Sequence, residues 1–172
     1  MTAPEAELKR LLRRRPALTL AVAESLTCGR VQARIGAVSG ASDYFLGGIT
    51  AYSLAQKVRL LGVDRAQARR VNCVSQRVAV EMAAGAGARF GADLAVATTG
   101  YAEPSPAAGI KVPMAWWALW HRQRGGGAVI VSGHLEMPGA GRVAAQERVA
   151  REVLDALTAY LREWRAQKSP PG

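Results

Sequence analysis

Hydrophobic and polar positions follow two rhythms along this chain. Continuous apolar runs at 18–23 (Leu-Thr-Leu-Ala-Val-Ala) and 94–98 (Leu-Ala-Val-Ala-Thr) have the length and composition of buried strands. Between and after them the apolar residues recur at helical steps. Val31, Ile35 and Val38 share one face, as do Ala79, Met82, Ala83, Ala86 and Phe90 in a helix that Ser75 caps. Val149, Val153, Leu157, Leu161 and Trp164 form the inward stripe of a long helix over 142–165. The first fifteen residues predict an amphipathic helix from Thr2 to Arg15, with Pro4 in its first turn, Glu5 in capping-box position to Thr2, and Pro16 stopping it. Ser53 opens a short helix closed by Gly62, and 66–71 adds a further helical turn. Residues 43–52, 112–120 and 128–136 are expected to be extended. Gly47-Gly48 marks a place where another backbone comes close.

Helices alternating with buried strands, then strands in succession, define an α/β fold: three layers, α/β/α, around a mixed sheet. Neither an internal repeat nor an interior linker interrupts the pattern, so 1–167 is expected to form one domain, with 168–172 a flexible tail. Ligands of such sheets sit beyond the strand ends, where Ser25 and Thr99-Gly100 would both lie.

Composition narrows the class. At 49% apolar and 21% charged residues the chain is that of a globular domain, and no apolar run approaches the roughly 20 residues that cross a bilayer. The N-terminal residues lack a signal-peptide core, and Cys28 and Cys73 suggest neither a disulfide framework nor a metal-ligand spacing. A cytoplasmic setting without membrane, metal or cofactor is the expectation. The net charge of +10 raises a nucleic-acid partner. Most of the arginine is scattered over helices, however, and the one dense cluster, Arg10 and Arg13–Arg15, sits at a helix C-terminus where the dipole favours it. An anionic small ligand would benefit from the same field.

Chemistry concentrates at Ala23-Glu24-Ser25-Leu26-Thr27-Cys28-Gly29, between the first strand and its helix. Hydroxyls there can cap the helix; alternatively, the free helix amides can hold an anion or a developing oxyanion. Glu24 is either a carboxylate at the helix start or a residue that positions the turn or Lys57. His121 and His134 read as structural, and Trp116, Trp117 and Trp120 as core or interface packing, with Trp117 facing opposite to the other two.

These motifs resemble the C-terminal domain of CinA-type competence/damage-inducible proteins, the nicotinamide-nucleotide amidohydrolase family. The family pattern A-E-S-[CT]-T-G-G is answered by Ala23–Gly29, Y-S-N-x-x-K by Tyr52–Lys57, and G-A-V-S by Asn72–Ser75. Lys111 falls where the family has a lysine, and Gly139-Ala140-Gly141-Arg142 answers the late arginine motif. The resemblance runs nearly the whole chain, in order. It implies a five- or six-stranded, mainly parallel sheet, a homo-oligomer, and metal-free hydrolysis of nicotinamide mononucleotide to the acid plus ammonia. It also implies a catalytic pair, here Ser25 and Lys57, and a nucleotide substrate bound around Thr27, Tyr52, Thr99, Gly100, Ser105, Lys111 and Arg142. A serine hydroxyl needs a base, and a lysine serves only if its pKa falls well below that of a solvated one; burial or a neighbouring cation such as Arg142 would do this. Amides at the helix start after Thr27 would hold the oxyanion.

The chain departs from the family pattern around the substrate. Leu54 replaces the asparagine of Y-S-N and Gln146 the second arginine of the late motif. The glycine-rich G-I-A-G-P-x-G-G-S loop becomes Gly100-Tyr101-Ala102-Glu103-Pro104-Ser105-Pro106-Ala107-Ala108. Pro106 removes an N–H, Ala107 resists positive φ and Glu103 brings a negative charge, each weakening an anion cradle. The alternative is therefore a catalytically inactive or substrate-shifted paralogue that binds a ligand or partner.

Overall fold

A computed structural model describes residues 4–168, and the predicted Thr2 cap and most of the predicted tail lie outside these. The described residues form six α-helices and one five-stranded sheet: α1 Pro4–Arg13, β1 Leu20–Glu24, α2 Arg30–Gly36, β2 Phe45–Thr50, α3 Leu54–Leu61, α4 Arg65–Arg70, α5 Gln76–Phe90, β3 Leu94–Tyr101, β4 Met114–Arg122, β5 Ala128–Glu136 and α6 Arg142–Gln167. The strand order is β2-β1-β3-β4-β5. β1 pairs in parallel with β2 and β3, while β4 runs antiparallel to both β3 and β5. Four strands thus point one way and β4 alone opposes them, making a mixed, mainly parallel sheet.

Alternation along β1 and β3 divides the core. Leu20, Val22, Leu94 and Val96 face α1, α2 and α6; Ala21, Ala23, Ala95 and Ala97 face α5. The small residues on the second face let α5 lie close to the sheet. Trp117 packs into the first layer, and Trp116 and Trp120 against the second. Local signals set the helix ends. Ser53 and Ser75 accept the amides of Gln56 and Val78, and Gly62 closes α3 in the left-handed region.

Several boundaries shift from those expected. α1 stops two residues before Arg15, because a residue preceding proline resists helical φ/ψ. The first strand starts at Leu20: Thr19 is tied by its amide and hydroxyl to Asp93, the residue before β3. α2 ends at Gly36, so Val38, the third residue of its expected face, lies beyond the helix. Gly47 and Gly48 meet side chains rather than another backbone. A Cβ on Gly47 would lie 2.9 Å from the Phe90 ring, and one on Gly48 2.5 Å from Gln32.

Helix-to-helix packing is tightest at Gly85 of α5, where a Cβ would lie 2.0 Å from the Leu61 carbonyl oxygen of α3. Alanine there gains about 1 kcal/mol of helix propensity and forces two backbones apart, a cost of typically 1–3 kcal/mol or more. Gly85→Ala is expected to be net destabilising, by about 1–2 kcal/mol, and because α3 carries Lys57, to weaken the site as well. Urea unfolding of the variant measures this; a variant as stable as the parent would show that α3 moves freely over α5.

Candidate active site

The first strand ends at Glu24, and the chain turns through Ser25–Gly29 into α2. Successive side chains at a strand end point to opposite faces. Glu24 turns toward α2 and Ser25 toward α3. The Ser25 amide donates to the Thr98 carbonyl oxygen at 3.1 Å, extending the β1–β3 ladder by one residue and fixing the turn against β3.

Lys57 lies one turn into α3, its backbone amide bonded to the Ser53 carbonyl. Helical side chains lean toward the N-terminus of their helix, and this one folds back over the residues that precede α3. Its Nζ donates to the carbonyl oxygens of Ala51 at 3.0 Å and Tyr52 at 3.1 Å, and lies 2.8 Å from Ser25 Oγ. Lys57 is 1% exposed and Ser25 6%. Burial pushes the Lys57 pKa below the usual lysine value, with the Cys73 side chain opposing the shift. Of the two causes expected to lower it, burial is therefore the one at work. Arg142, the other, is engaged with Glu103 and Tyr52 at the outer end of the site.

The three contacts fit both states of the amine. As an ammonium, Lys57 donates to Ser25 Oγ and to the two carbonyls. As –NH₂, it keeps the two carbonyl bonds and turns its lone pair to the Ser25 hydroxyl. The pair opens into a cavity of about 440 Å³ beyond the ends of β1 and β3, at the point where the connection from β1 through α2 and the connection from β2 through α3–α5 pass over opposite faces of the sheet.

Of the residues expected around a substrate, Tyr52, Thr99, Gly100, Ser105 and Arg142 line this cavity together with Ser25 and Lys57. Thr27 and Lys111 do not. Thr27 is fully buried, its hydroxyl 2.7 Å from that of Thr98, and so ties the turn to β3. Lys111 is exposed, beyond the loop that walls the cavity. Thr99 faces the cavity while donating to the Cys73 carbonyl at 2.7 Å. Tyr101 forms part of the wall, its hydroxyl accepting from Asn72 at 2.6 Å, and leaves the space open.

The expected oxyanion donors are not available. Glu24, fully buried, accepts the amides of Gly29 at 2.9 Å, Val31 at 3.2 Å and Gln32 at 2.9 Å, so the start of α2 is already occupied by the protein's own carboxylate. The amide that remains beside the hydroxyl is that of Leu26, which lines the cavity and has no acceptor among the described residues. The peptide unit that carries this N–H is held through its own carbonyl, that of Ser25, which accepts from the Cys28 amide at 3.2 Å, while Gln146 donates to the Leu26 carbonyl of the next unit at 2.7 Å from inside α6. In the sequence Gln146 stands out only as a missing arginine; its place in α6, one turn before the inward-facing Val149, is the signal for this role.

At the outer end of the cavity Arg142 donates to Glu103 at 2.5 Å and to the Tyr52 hydroxyl at 2.8 Å. Cys28, in the left-handed region at φ 50°, is exposed and outside the cavity, whereas Cys73 lines it. Among the described residues no cluster of His, Cys, Asp and Glu could hold a metal ion, and no helix is long and apolar enough to cross a membrane.

Known proteins share this arrangement of chain. A family model described as the CinA C-terminal domain matches residues 2–161. A CinA-like protein of Chlorobium limicola is 40% identical over 147 residues, 85% of this chain and 34% of that protein. Another, from Picosynechococcus, is 52% identical over 86 residues, covering 50% of this chain and 20% of its own length. The chain thus spans about a third or less of these curated relatives. Among solved structures, competence damage-inducible protein A of Klebsiella pneumoniae superposes with a TM-score of 0.84 at 28% identity, over 94% of this chain and 96% of that one. The competence or damage-inducible protein of Enterobacter asburiae gives 0.82 at 26% identity, over 92% and 96%.

Proposed function

This chain belongs to the CinA C-terminal domain family, and from that premise we propose that it is an amidohydrolase acting on a nucleotide-linked carboxamide through Ser25 and Lys57. Nicotinamide mononucleotide, converted to nicotinate mononucleotide and ammonia, is the substrate the resemblance implies. The observation that carries the reading is the 2.8 Å approach of Lys57 Nζ to Ser25 Oγ inside a cavity, with two carbonyls holding the amine.

The chemistry follows from that contact. Neutral Lys57 takes the Ser25 proton as Oγ attacks the carboxamide carbon. The carbonyl oxygen becomes an oxyanion, which the Leu26 amide is placed to receive. Lys57, now an ammonium, returns its proton to the departing nitrogen, which leaves as ammonia. Water then gives a proton to the same amine, attacks the acyl-serine and releases the acid, and the proton passes back to Ser25. One base thus serves both halves.

Ammonia release from nicotinamide mononucleotide by the purified protein, measured beside Ser25→Ala, tests the proposal. Release by the parent that vanishes in the variant supports it. Equal release by both rejects the role given to Ser25. A second reading, an inactive or substrate-shifted relative that binds a ligand or partner, is favoured by one observation: Arg142, the cation expected to meet an anionic group, is already paired with Glu103.

A further inference from the structure

The outer end of the cavity is electrostatically unlike an anion site. Its lining includes Lys57, Arg142 and Glu103. Lys57 has its Nζ committed to Ser25, Ala51 and Tyr52, deep inside. Arg142 has Nη1 on Glu103 Oε1 and Nη2 on the Tyr52 hydroxyl. Glu103 keeps Oε2 without a partner among the described residues. What faces an incoming group is therefore a carboxylate acceptor beside a compensated guanidinium.

The loop that carries Glu103 offers little to replace the missing cation. Pro104 and Pro106 have no N–H. Ser105 and Ile110 bond to each other's carbonyls, and the amides of Ala108 and Gly109 donate to Ser105 and Pro106. Across 104–110 only Ala107 keeps an amide with no acceptor among the described residues, and it does not line the cavity. A backbone cradle for phosphate needs several such groups converging on one point; the amides of Ser105 and of 108–110 are turned into the loop itself, and the two on the cavity wall without an acceptor among the described residues, those of Ala102 and Glu103, lie beside the Glu103 carboxylate.

We propose that Glu103 determines specificity at this end of the cavity, selecting a carboxamide with a hydroxyl-bearing tail that lacks phosphate, a pyridinium nucleoside rather than a nucleotide. A sugar hydroxyl donates to Glu103 Oε2 while the Glu103–Arg142 pair stays intact, and the positive ring is drawn to the same carboxylate. A phosphate monoester meets that carboxylate as a like charge and has to share the Arg142 guanidinium with it. Both partners of the pair are about half exposed, so the discrimination is moderate rather than absolute.

This inference rests on the carboxamide-hydrolase reading and refines its substrate, so the test separates the two. Ammonia release, as kcat/KM, is measured for nicotinamide riboside and nicotinamide mononucleotide with the parent, Glu103→Gln and Glu103→Ala. Binding of the two product acids, nicotinate riboside and nicotinate mononucleotide, is measured by calorimetry with the same proteins and needs no turnover. The parent is expected to favour the riboside form by about tenfold, and both variants to lose that preference, chiefly by gaining on the mononucleotide. A parent that favours the mononucleotide, variants that leave the ratio unchanged, or failure of both acids to bind overturns the role of Glu103. Selective binding of the riboside form without ammonia release upholds that role and removes the hydrolase reading. Rapid release from the mononucleotide with no such selectivity does the reverse.

Discussion

Replacing Lys57 by methionine is expected to lower kcat for ammonia release by about 10²–10⁴-fold, the range a positioned general base supplies. Lys57 is nearly fully buried, and methionine is an unbranched apolar residue that fills a similar space, so the loss should come without collapse of the cavity. Combining Lys57→Met with Ser25→Ala should cost little more than the larger single loss, because the two groups act as one unit. A pH series gives the sharper check. Burial lowers the Lys57 pKa in the folded protein, while the unfolded chain keeps the ordinary value of about 10.4. Between those two values the unfolded state binds more protons than the folded one, so stability rises with pH through that window and is lost as pH falls through it. The methionine variant lacks this rise. Stability of the parent relative to Lys57→Met should therefore increase from neutral pH toward pH 10, measured by urea unfolding. In parallel, kcat should climb with pH to a plateau reached below the ordinary lysine range. A difference in stability that stays flat with pH would mean a lysine charged in the folded state, and the serine would be left without its base.

What the sequence made legible was local. Helix caps at Ser53 and Ser75, the stop at Gly62 and the apolar runs that became β1 and β3 all depend on residues close in the chain; the caps and the stop stand where the pattern puts them, while β1 begins two residues later, at Leu20, and β3 runs on to Tyr101. The juxtaposition of Ser25 with Lys57 was legible only through the resemblance, since nothing in a 32-residue separation fixes a distance in space. What stayed hidden were contacts that depend on which of several equivalent partners arrives first. The pattern allows two occupants for the helix start after Thr27, a developing oxyanion or the Glu24 carboxylate, and the structure gives it to Glu24. Gln146 meets Leu26 across 120 residues, and Arg142 meets Glu103 across 39. No periodicity encodes such pairs. Lys111 shows the converse. Its position in the resemblance suggests a ligand contact, but the loop before it folds on itself through Ser105 and Ile110 and carries it out to solvent.

Glu24→Ala is expected to destabilise the fold by about 3–5 kcal/mol, the scale of stripping a buried charge network of one partner. Three backbone amides, those of Gly29, Val31 and Gln32, would lose their acceptor, and each buried donor left unpaired costs about 1–3 kcal/mol, the more exposed ones least because water can replace the carboxylate. Glu24→Gln should fall between parent and Ala. It keeps one acceptor oxygen but points an NH₂ group at an N–H. The midpoint of urea unfolding, at unchanged m-value, reads this directly; a loss under about 1 kcal/mol for Glu24→Ala would mean that α2 holds its start without the carboxylate. Activity should suffer beyond stability, because the same short turn, Ser25–Gly29, links the anchor to the nucleophile. Glu24 and Ser25 leave the end of β1 toward opposite faces, one fastening α2 from within and the other meeting Lys57 in the cavity. A carboxylate on the helix amides fixes the turn before any ligand arrives, Gln146 holds the Leu26 carbonyl on its far side, and the Leu26 N–H is left without an acceptor among the described residues, free for the oxyanion oxygen of the proposed reaction. The charge that closes one anion site is thus what holds the other in register.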